Sequence, residues 1–187
     1  TTIHPKYVKK KYDKKFDLDK IFIKKFNKIN FFYIFLNTRK IYLPKANINE
    51  TSILSPIGNY AINKLLTEKY LKKKLKSKLI SLRISNIIGN RIFKNSRINH
   101  KLFFDNFLKL KNNKNKIIIN DDFKDFLSID QFCKIIFKII KLKINGIYNV
   151  SISEKIYLSE IVSWLDKNIS KKINFTKISK NSFTLSN

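Results

Sequence analysis

Residues 31–36 read Phe-Phe-Tyr-Ile-Phe-Leu and are apolar at every position, which makes this stretch the most informative one for the fold. A strand with one face in water alternates apolar and polar residues, whereas a strand covered on both faces does not. The stretch is therefore typical of a central strand in a parallel sheet with helices on both sides.

The segments around this strand alternate between helix and strand. Residues 17–27 and 60–76 show apolar side chains at helical spacing, and 78–84 reads as the next strand. Between the first strand and the second helix, a polar stretch with two prolines and Gly58 predicts a long loop. This alternation predicts right-handed βαβ units and a mostly parallel sheet.

The second half continues the alternation less regularly. We expect helices over 100–111, 129–141 and 158–168, and strands over 116–120, 147–150 and 173–178. Gly146 is expected to end the helical region before its strand, and Ser153 or Ser159 to cap the last helix. Cys133 and Trp164 are expected to be core residues. Asp121 and Asp122 are expected to lie in a solvated loop.

The charge is the most prominent feature of the composition, with 40 Lys and Arg against 13 Asp and Glu and a formal net charge of +27. Such a charge is typical of proteins that bind nucleic acid, because lysines that contact the phosphates displace the counterions bound there. However, the lysines are scattered, and Lys, Ile, Asn and Phe have AT-rich codons. We therefore expect coding bias and no specific nucleic-acid partner. His4 and His100 belong to no ligand-spacing motif, so no metal site is expected.

The glycines and methionines set further limits. The chain has three glycines, Gly58, Gly89 and Gly146, which cannot form a G-x-G-x-x-G loop or a Walker A loop. It has no methionine and starts at Thr1, so we expect a piece of a longer protein. The longest apolar run falls far short of the roughly 20 residues of a membrane helix. We expect no membrane partner and a cytoplasmic location.

Three residues near the end of the first strand can carry acid–base chemistry. Tyr60 and Lys64 lie four apart on a predicted helix, so they share a face. A nearby ammonium favours the phenolate and would lower the pKa of the tyrosine. Tyr60 is thus a candidate general acid and base, and the Thr38 hydroxyl could hold a substrate oxygen. The pair alone is weak evidence, since Tyr70 and Lys74 repeat the spacing.

The order of several motifs resembles the extended short-chain dehydrogenase/reductase family, the NAD-dependent epimerase/dehydratases of nucleotide sugars. These motifs are Asn37-Thr38-Arg39-Lys40-Ile41-Tyr42, Tyr60-Ala61-Ile62-Asn63-Lys64, Leu82-Arg83-Ile84-Ser85-Asn86-Ile87-Ile88-Gly89, Lys124-Asp125-Phe126-Leu127-Ser128-Ile129-Asp130 and Gly146-Ile147-Tyr148-Asn149-Val150. The resemblance implies an α/β fold with a partial Rossmann-like parallel sheet flanked by helices and a smaller C-terminal substrate-binding region. Residues 1–99 would be the C-terminal part of the dinucleotide-binding domain. Residues 100–187 would mostly bind substrate, with one or two elements returning to the main sheet.

The resemblance also implies roles for individual residues. Thr38, Tyr60 and Lys64 would be catalytic, with NAD or NADP as cofactor and a nucleotide sugar as substrate. Cofactor contacts would come from Tyr60, Lys64, Arg83 and Ile84. Substrate contacts would come from Thr38, Asn86 and Lys124, the last standing where an arginine often meets the diphosphate. A homodimer through a helix pair is common in this family.

Departures from the family pattern narrow the activity. In the 4,6-dehydratases of the family an Asp-Glu pair follows the catalytic Ser or Thr and performs the elimination, whereas this chain has Arg39 and Lys40. The resemblance therefore favours an epimerase or a 4-keto reductase. Without the glycine loop, the chain alone is expected to be inactive. The alternative is a non-catalytic relic of the family, or a basic protein that binds nucleic acid or another polyanion.

Overall fold

A computed structural model of the protein describes residues 3–26, 28–89, 117–121, 123–168 and 175–178. The helix predicted over 100–111 lies outside these ranges. The helices are α1 Pro5–Lys9, α2 Leu18–Lys25, α3 Asn59–Leu75, α4 Ile129–Leu142 and α5 Leu158–Asn168. The strands are β1 Tyr33–Thr38, β2 Leu79–Ile84, β3 Asn86–Ile88, β4 Ile117–Asn120, β5 Phe123–Lys124, β6 Phe126–Ser128, β7 Gly146–Val150, β8 Ile156–Tyr157 and β9 Phe175–Ile178.

The main sheet has three parallel strands in the order β1-β2-β7. Helix α3 connects β1 to β2, as expected of a βαβ unit. The predicted α/β class and parallel sheet are confirmed. The first strand begins and ends two residues later than its apolar run. Three short pairs accompany the sheet, β3–β6 and β4–β9 parallel and β5–β8 antiparallel, and the sequence did not indicate the antiparallel pair.

Both faces of the main sheet are covered. On one face, Ile80 and Leu82 of β2 pack with Phe132 and Ile139 of α4 and with Leu127. On the other face, Phe35 and Leu79 pack against Ile23 of α2 and Leu71 of α3. This two-sided burial explains why residues 31–36 lack polar alternation.

A polar row interrupts the face that meets α3. Asn37 pairs in register with Arg83, which pairs in register with Asn149, so one polar residue from each strand lies in line across the sheet. Asn37 and Arg83 are buried. Because side chains two apart on a strand share a face, Ser81 lies next to this row.

Two predicted core residues are exposed. Cys133 lies on the outer side of α4, and Trp164 of α5 is 60% exposed. Helix α4 instead turns Phe132 and Ile139 inward, so its burial face is offset from Cys133. The expectations for both residues were wrong, since an apolar helix does not reveal which of its faces the sheet covers.

The helix ends also differ from expectation. Helix α4 is followed by Lys143, which caps its C-terminal end in the left-handed backbone conformation. Gly146 is already the first residue of β7. The backbone N–H of Ser159 in α5 donates to Asp121 Oδ1 at 3.0 Å, and its hydroxyl donates to Asp121 Oδ2 at 2.9 Å. Asp121 therefore accepts a backbone N–H at the start of α5, which has no partner within the helix, from a distant part of the chain. It is not a solvated loop residue. Within the described ranges, the helices all fall short of the length and apolar character needed to cross a membrane.

Candidate active site

The carboxyl ends of the three parallel strands form the edge where ligands bind in open α/β sheets. Thr38, Ile84 and Val150 end their strands and are in register with one another. Asn86 follows directly, at the start of β3. Of the predicted site residues, Thr38, Ile84 and Asn86 are thus placed at this edge by the sheet itself.

Thr38 links β1 to a short 3-10 turn formed by Arg39–Ile41. Its backbone N–H donates to Asn37 Oδ1 at 2.8 Å, and its Oγ1 accepts from the Lys40 N–H at 3.3 Å. The threonine is half-buried. Its hydroxyl proton has no acceptor in the described part of the chain and is free to donate to a ligand.

Helix α3 carries Tyr60 and Lys64 one turn apart. The helix begins after Gly58, whose positive φ of 82° suits glycine at this position. The Lys64 ammonium is buried, donates to the Leu36 carbonyl at 2.8 Å and lies 4.5 Å from the Phe35 ring centroid. Leu36 precedes Thr38 by two residues on β1, so this bond brings the lysine beside the strand that ends at Thr38.

The charge state of Lys64 reflects its surroundings. Burial lowers the pKa of Lys64, while the negative charges of Asp19 and Asp17 oppose this change. Both carboxylates are nearly fully buried on the α2 side. Asp17 accepts hydrogen bonds from Tyr12, Thr67 and the Lys20 N–H.

Tyr60 behaves differently from the sequence expectation. Burial raises the pKa of Tyr60, whereas a lowered pKa was expected from the neighbouring lysine. The physical reason is that burial removes water from the phenol and so disfavours its charged phenolate form. In the described part of the chain the Tyr60 hydroxyl forms no hydrogen bond, so it too is free to meet a ligand.

Arg83 lies in a buried network. Its Nη2 donates to Glu68 Oε1 at 2.6 Å and its Nε donates to Glu68 Oε2 at 3.2 Å. Its Nη1 donates to the Tyr42 hydroxyl at 2.6 Å and to the Glu50 carbonyl at 3.1 Å. The guanidinium is thus directed at internal acceptors, whereas the family resemblance implied a cofactor contact. Ile84 is also buried, and its side chain packs in the apolar cluster with Leu82.

Glu68 is a site residue that sequence reasoning did not single out. It follows Tyr60 and Lys64 at the same spacing of four, which was the available signal. Its Oε2 also accepts from Asn37 Nδ2 and Ser81 Oγ, each at 2.6 Å. Because Asn37 in turn receives the Thr38 N–H, Glu68 connects the helix that carries Tyr60 to the end of β1.

Asn86 joins two parts of the edge. Its Oδ1 accepts from Arg39 Nη2 at 3.1 Å, and its Nδ2 donates to the Asp125 carbonyl at 2.9 Å. Lys124 immediately precedes Asp125 and ends β5. The structure therefore brings together the segments that hold Asn86 and Lys124, the two predicted substrate contacts besides Thr38.

The residues that the structure describes contain no cluster of metal-ligating side chains. No group of three or more His, Cys, Asp or Glu residues there could hold a metal ion. His4 caps α1 through Nδ1 and stacks on Phe16, with ring centroids 4.6 Å apart.

Comparison with solved structures shows the same fold in several enzymes. The UDP-N-acetylglucosamine 4-epimerase from Methanobrevibacter ruminantium M1, in complex with UDP-N-acetylmuramic acid, has 20% sequence identity and a TM-score of 0.70. The match covers 91% of this chain and 58% of that one. MoeE5 in complex with UDP-glucuronic acid and NAD has 11% identity and a TM-score of 0.70, covering 90% and 59%.

A third match is the dTDP-4-dehydrorhamnose reductase from Bacillus anthracis in complex with NADP, at 18% identity and a TM-score of 0.63, covering 79% and 50%. The chain thus spans 50 to 59% of these three structures. At such identities the likeness shows the fold alone.

A search of curated proteins finds no match. The family model of the NAD dependent epimerase/dehydratase family matches residues 23–151, which is more than half of the chain and includes the predicted positions from Thr38 to Lys124. The chain belongs to the NAD dependent epimerase/dehydratase family.

Proposed function

We propose that Thr38, Tyr60 and Lys64 carry hydride and proton transfer in an NAD(P)-dependent epimerase or 4-keto reductase that acts on a nucleotide sugar. The observation that carries the proposal is the bond from Lys64 to the Leu36 carbonyl. It places the lysine beside the strand that ends at Thr38, with Tyr60 one helical turn away.

The residues at the sheet edge fit the nicotinamide end of such a cofactor. Among the residues that the structure describes, the Tyr60 hydroxyl forms no hydrogen bond, and the buried Ser85 hydroxyl directly after β2 has no hydrogen-bond partner. An orphaned polar atom of this kind needs an acceptor or donor from a ligand or a water. Tyr60, Lys64 and the backbone at Ile84 would hold the nicotinamide ribose and ring. The three glycines of the chain supply no loop for the diphosphate.

When bound, the cofactor supplies or accepts the hydride at a sugar carbon. The Tyr60 phenol moves the matching proton at the sugar oxygen. A phenol is protonated at neutral pH, as donation in a reduction requires, and burial raises the pKa of Tyr60 further. The Thr38 hydroxyl orients the same oxygen. The Lys64 ammonium would stabilise negative charge on the phenol, and its bond to the Leu36 carbonyl uses only one of its three N–H donors.

Several further properties are part of the proposal. Residues 1–99 would form the cofactor side and residues 100–187 mostly the substrate side, supported by the pairing of β7 with β2 in the main sheet. Asn86 and Lys124 would contact the nucleotide sugar. The protein would be cytoplasmic, with a homodimer through a helix pair as its expected assembly, and this chain alone would be inactive.

The test compares two tyrosines that share the same spacing to a lysine. Tyr60→Phe should lower NAD(P)H-dependent turnover of UDP- or dTDP-linked sugars by about a hundredfold or more in the native protein. Tyr70→Phe is the matched control, because Tyr70 precedes Lys74 by the same four residues, and should leave turnover unchanged. Full activity of the Tyr60 variant would refute the assignment. Sequence-specific nucleic-acid binding at physiological salt would favour the polyanion alternative.

A further inference from the structure

Arg39 is the charged residue next to the proposed reaction centre. It follows Thr38 directly and starts the 3-10 turn at the end of β1. Burial lowers the pKa of Arg39, and the negative charge of Asp125 opposes this change. Its neighbour Lys40 is exposed, so the two adjacent cations have different surroundings.

In the part of the chain that the structure describes, the Arg39 guanidinium has no carboxylate partner. Within the described ranges it forms no ion pair, and its one side-chain hydrogen bond is from Nη2 to Asn86 Oδ1 at 3.1 Å. Asp125 attracts it electrostatically, but the two Asp125 oxygens already accept from the backbone N–H groups of Ile152 at 3.2 Å and Ser153 at 2.6 Å.

The buried Arg83 offers a comparison, because its guanidinium has a structural role. Arg83 uses all three of its nitrogens on Glu68, Tyr42 and Glu50. Within the described residues, Arg39 leaves most of its five N–H donors without an acceptor. A partly buried charge without a counterion is costly, whereas a planar guanidinium with open donors fits a carboxylate through two parallel hydrogen bonds.

We propose that Arg39 selects a substrate whose sugar ring carries a carboxylate, as in a uronic acid linked to a nucleoside diphosphate. The inference rests on the proposed function, since it takes Thr38 as the contact to the reacting sugar oxygen. Consecutive Cα atoms lie about 3.8 Å apart, so Arg39 belongs to the sugar end of the site. The diphosphate end is assigned to Lys124.

The class of substrate follows from the charge. A neutral sugar would bury the Arg39 guanidinium further and leave it unpaired, which costs binding free energy. A sugar carboxylate would accept the open N–H donors and neutralise the charge. The Asn86 amide would hold the guanidinium in place. Its Oδ1 accepts from Arg39, and its Nδ2 is fixed by donating to the Asp125 carbonyl.

The experiment measures the binding of three probes by calorimetry, UDP-glucuronate, UDP-glucose and UDP, to the chain and its variants. The unmodified chain should bind UDP-glucuronate about tenfold or more tightly than UDP-glucose. Arg39→Gln should abolish this preference by weakening UDP-glucuronate, and it should not weaken UDP-glucose, because it removes the charge that a neutral sugar leaves unpaired. Arg39→Lys should keep part of the preference, because it retains the charge but loses the planar fork.

Lys40→Gln is the matched control, since it removes an adjacent exposed cation, and it should leave the preference intact. If Arg39→Gln weakened UDP as much as UDP-glucuronate, the guanidinium would bind the diphosphate and the inference would be wrong. Equal affinity of the unmodified chain for both sugars would overturn the inference and leave the proposed function standing. Failure to bind any of the three probes would overturn the inference, whereas the proposed function, which also covers dTDP-linked sugars, is refuted only by full activity of the Tyr60→Phe variant.

Discussion

Glu68 and Arg83 form a buried ion pair, with 2.6 Å between Glu68 Oε1 and Arg83 Nη2 and only 4% of each side chain exposed. The pair ties helix α3 to the central strand β2. A guanidinium in this two-point geometry gives a strong hydrogen-bonded pair. Because α3 also carries Tyr60 and Lys64, this contact fixes the helix that supplies two of the three proposed catalytic residues.

Breaking this pair should destabilise the chain strongly. Arg83→Met leaves the Glu68 carboxylate buried without its cation, and we expect a loss of about 3–5 kcal/mol in the free energy of unfolding. The measurement is urea denaturation. Lys15→Met is the control, because it removes the exposed ion pair with Asp13 and should cost less than about 1 kcal/mol. Equal losses for the two variants would contradict the prediction.

The same pair should make stability depend on acid. Burial alone would raise the pKa of Glu68, but hydrogen bonds from Arg83 and Ser81, with the charge of Arg83, outweigh it and lower the pKa below 4.5. The carboxylate therefore stabilises the folded state above pH 4.5, and this contribution is lost as the pH falls through the lowered value. Glu68→Gln should show a shallower fall in stability below pH 4.5 than the unmodified chain. If the stability of the two chains fell equally steeply below pH 4.5, the prediction for Glu68 would be wrong.

Lys64 should give a second rise of stability with pH, this time in the alkaline range. Its pKa is lowered below 10.5, mainly by burial, so the unfolded chain binds more protons than the folded one between the lowered value and 10.5. Stability contributed by this residue therefore rises with pH in that window. The difference in unfolding free energy between the unmodified chain and Lys64→Met should shift in favour of the unmodified chain as the pH approaches 10.5. Lys69→Met, at an exposed position on the same helix, should show no such shift.

Cys133 provides a direct test of the orientation of α4. Because the thiol is exposed, it should react with a thiol reagent such as DTNB in the folded chain as completely as in denaturant. Cys133→Ser should abolish the signal without changing the unfolding midpoint. A thiol that reacts only after denaturation would place Cys133 in the core.

The sequence predicted the main elements because their patterns are local. The uniform apolar run at residues 31–36 indicated a doubly covered strand, and helical spacing located α3 within a residue at each end. The side of each helix that faces the sheet is not a local property. Cys133 and Trp164 both lie on apolar helices, yet packing with β2 and its neighbours selected Phe132 and Ile139 for the core of α4.

The candidate site stays a prediction. Thr38, Tyr60 and Lys64 can be chosen from spacing and motif order, and the fold has Thr38 at the end of β1 and the Lys64 ammonium on the Leu36 carbonyl of the same strand. The partner of Lys64 could not be predicted, because the Leu36 carbonyl carries no sequence signature. The raised pKa of Tyr60 follows from the burial of its phenol, which residue spacing does not reveal. Contacts between a helix and a strand, such as that of Glu68 with Arg83, also depend on the order of the strands in the sheet, which the sequence does not reveal.

The polar row of Asn37, Arg83 and Asn149 has a consequence for how the chain selects its native strand alignment. Strands β1 and β2 consist mostly of Ile, Leu and Phe, whose side chains are similar enough to tolerate alternative pairings. A slip of β2 by one residue would move every side chain to the opposite face. Arg83 would then lie unpaired among Leu36, Leu127 and their apolar neighbours, a far larger penalty than any exchange of Ile for Leu. One guanidinium thus protects a nearly uniform hydrophobic sheet against misalignment during folding.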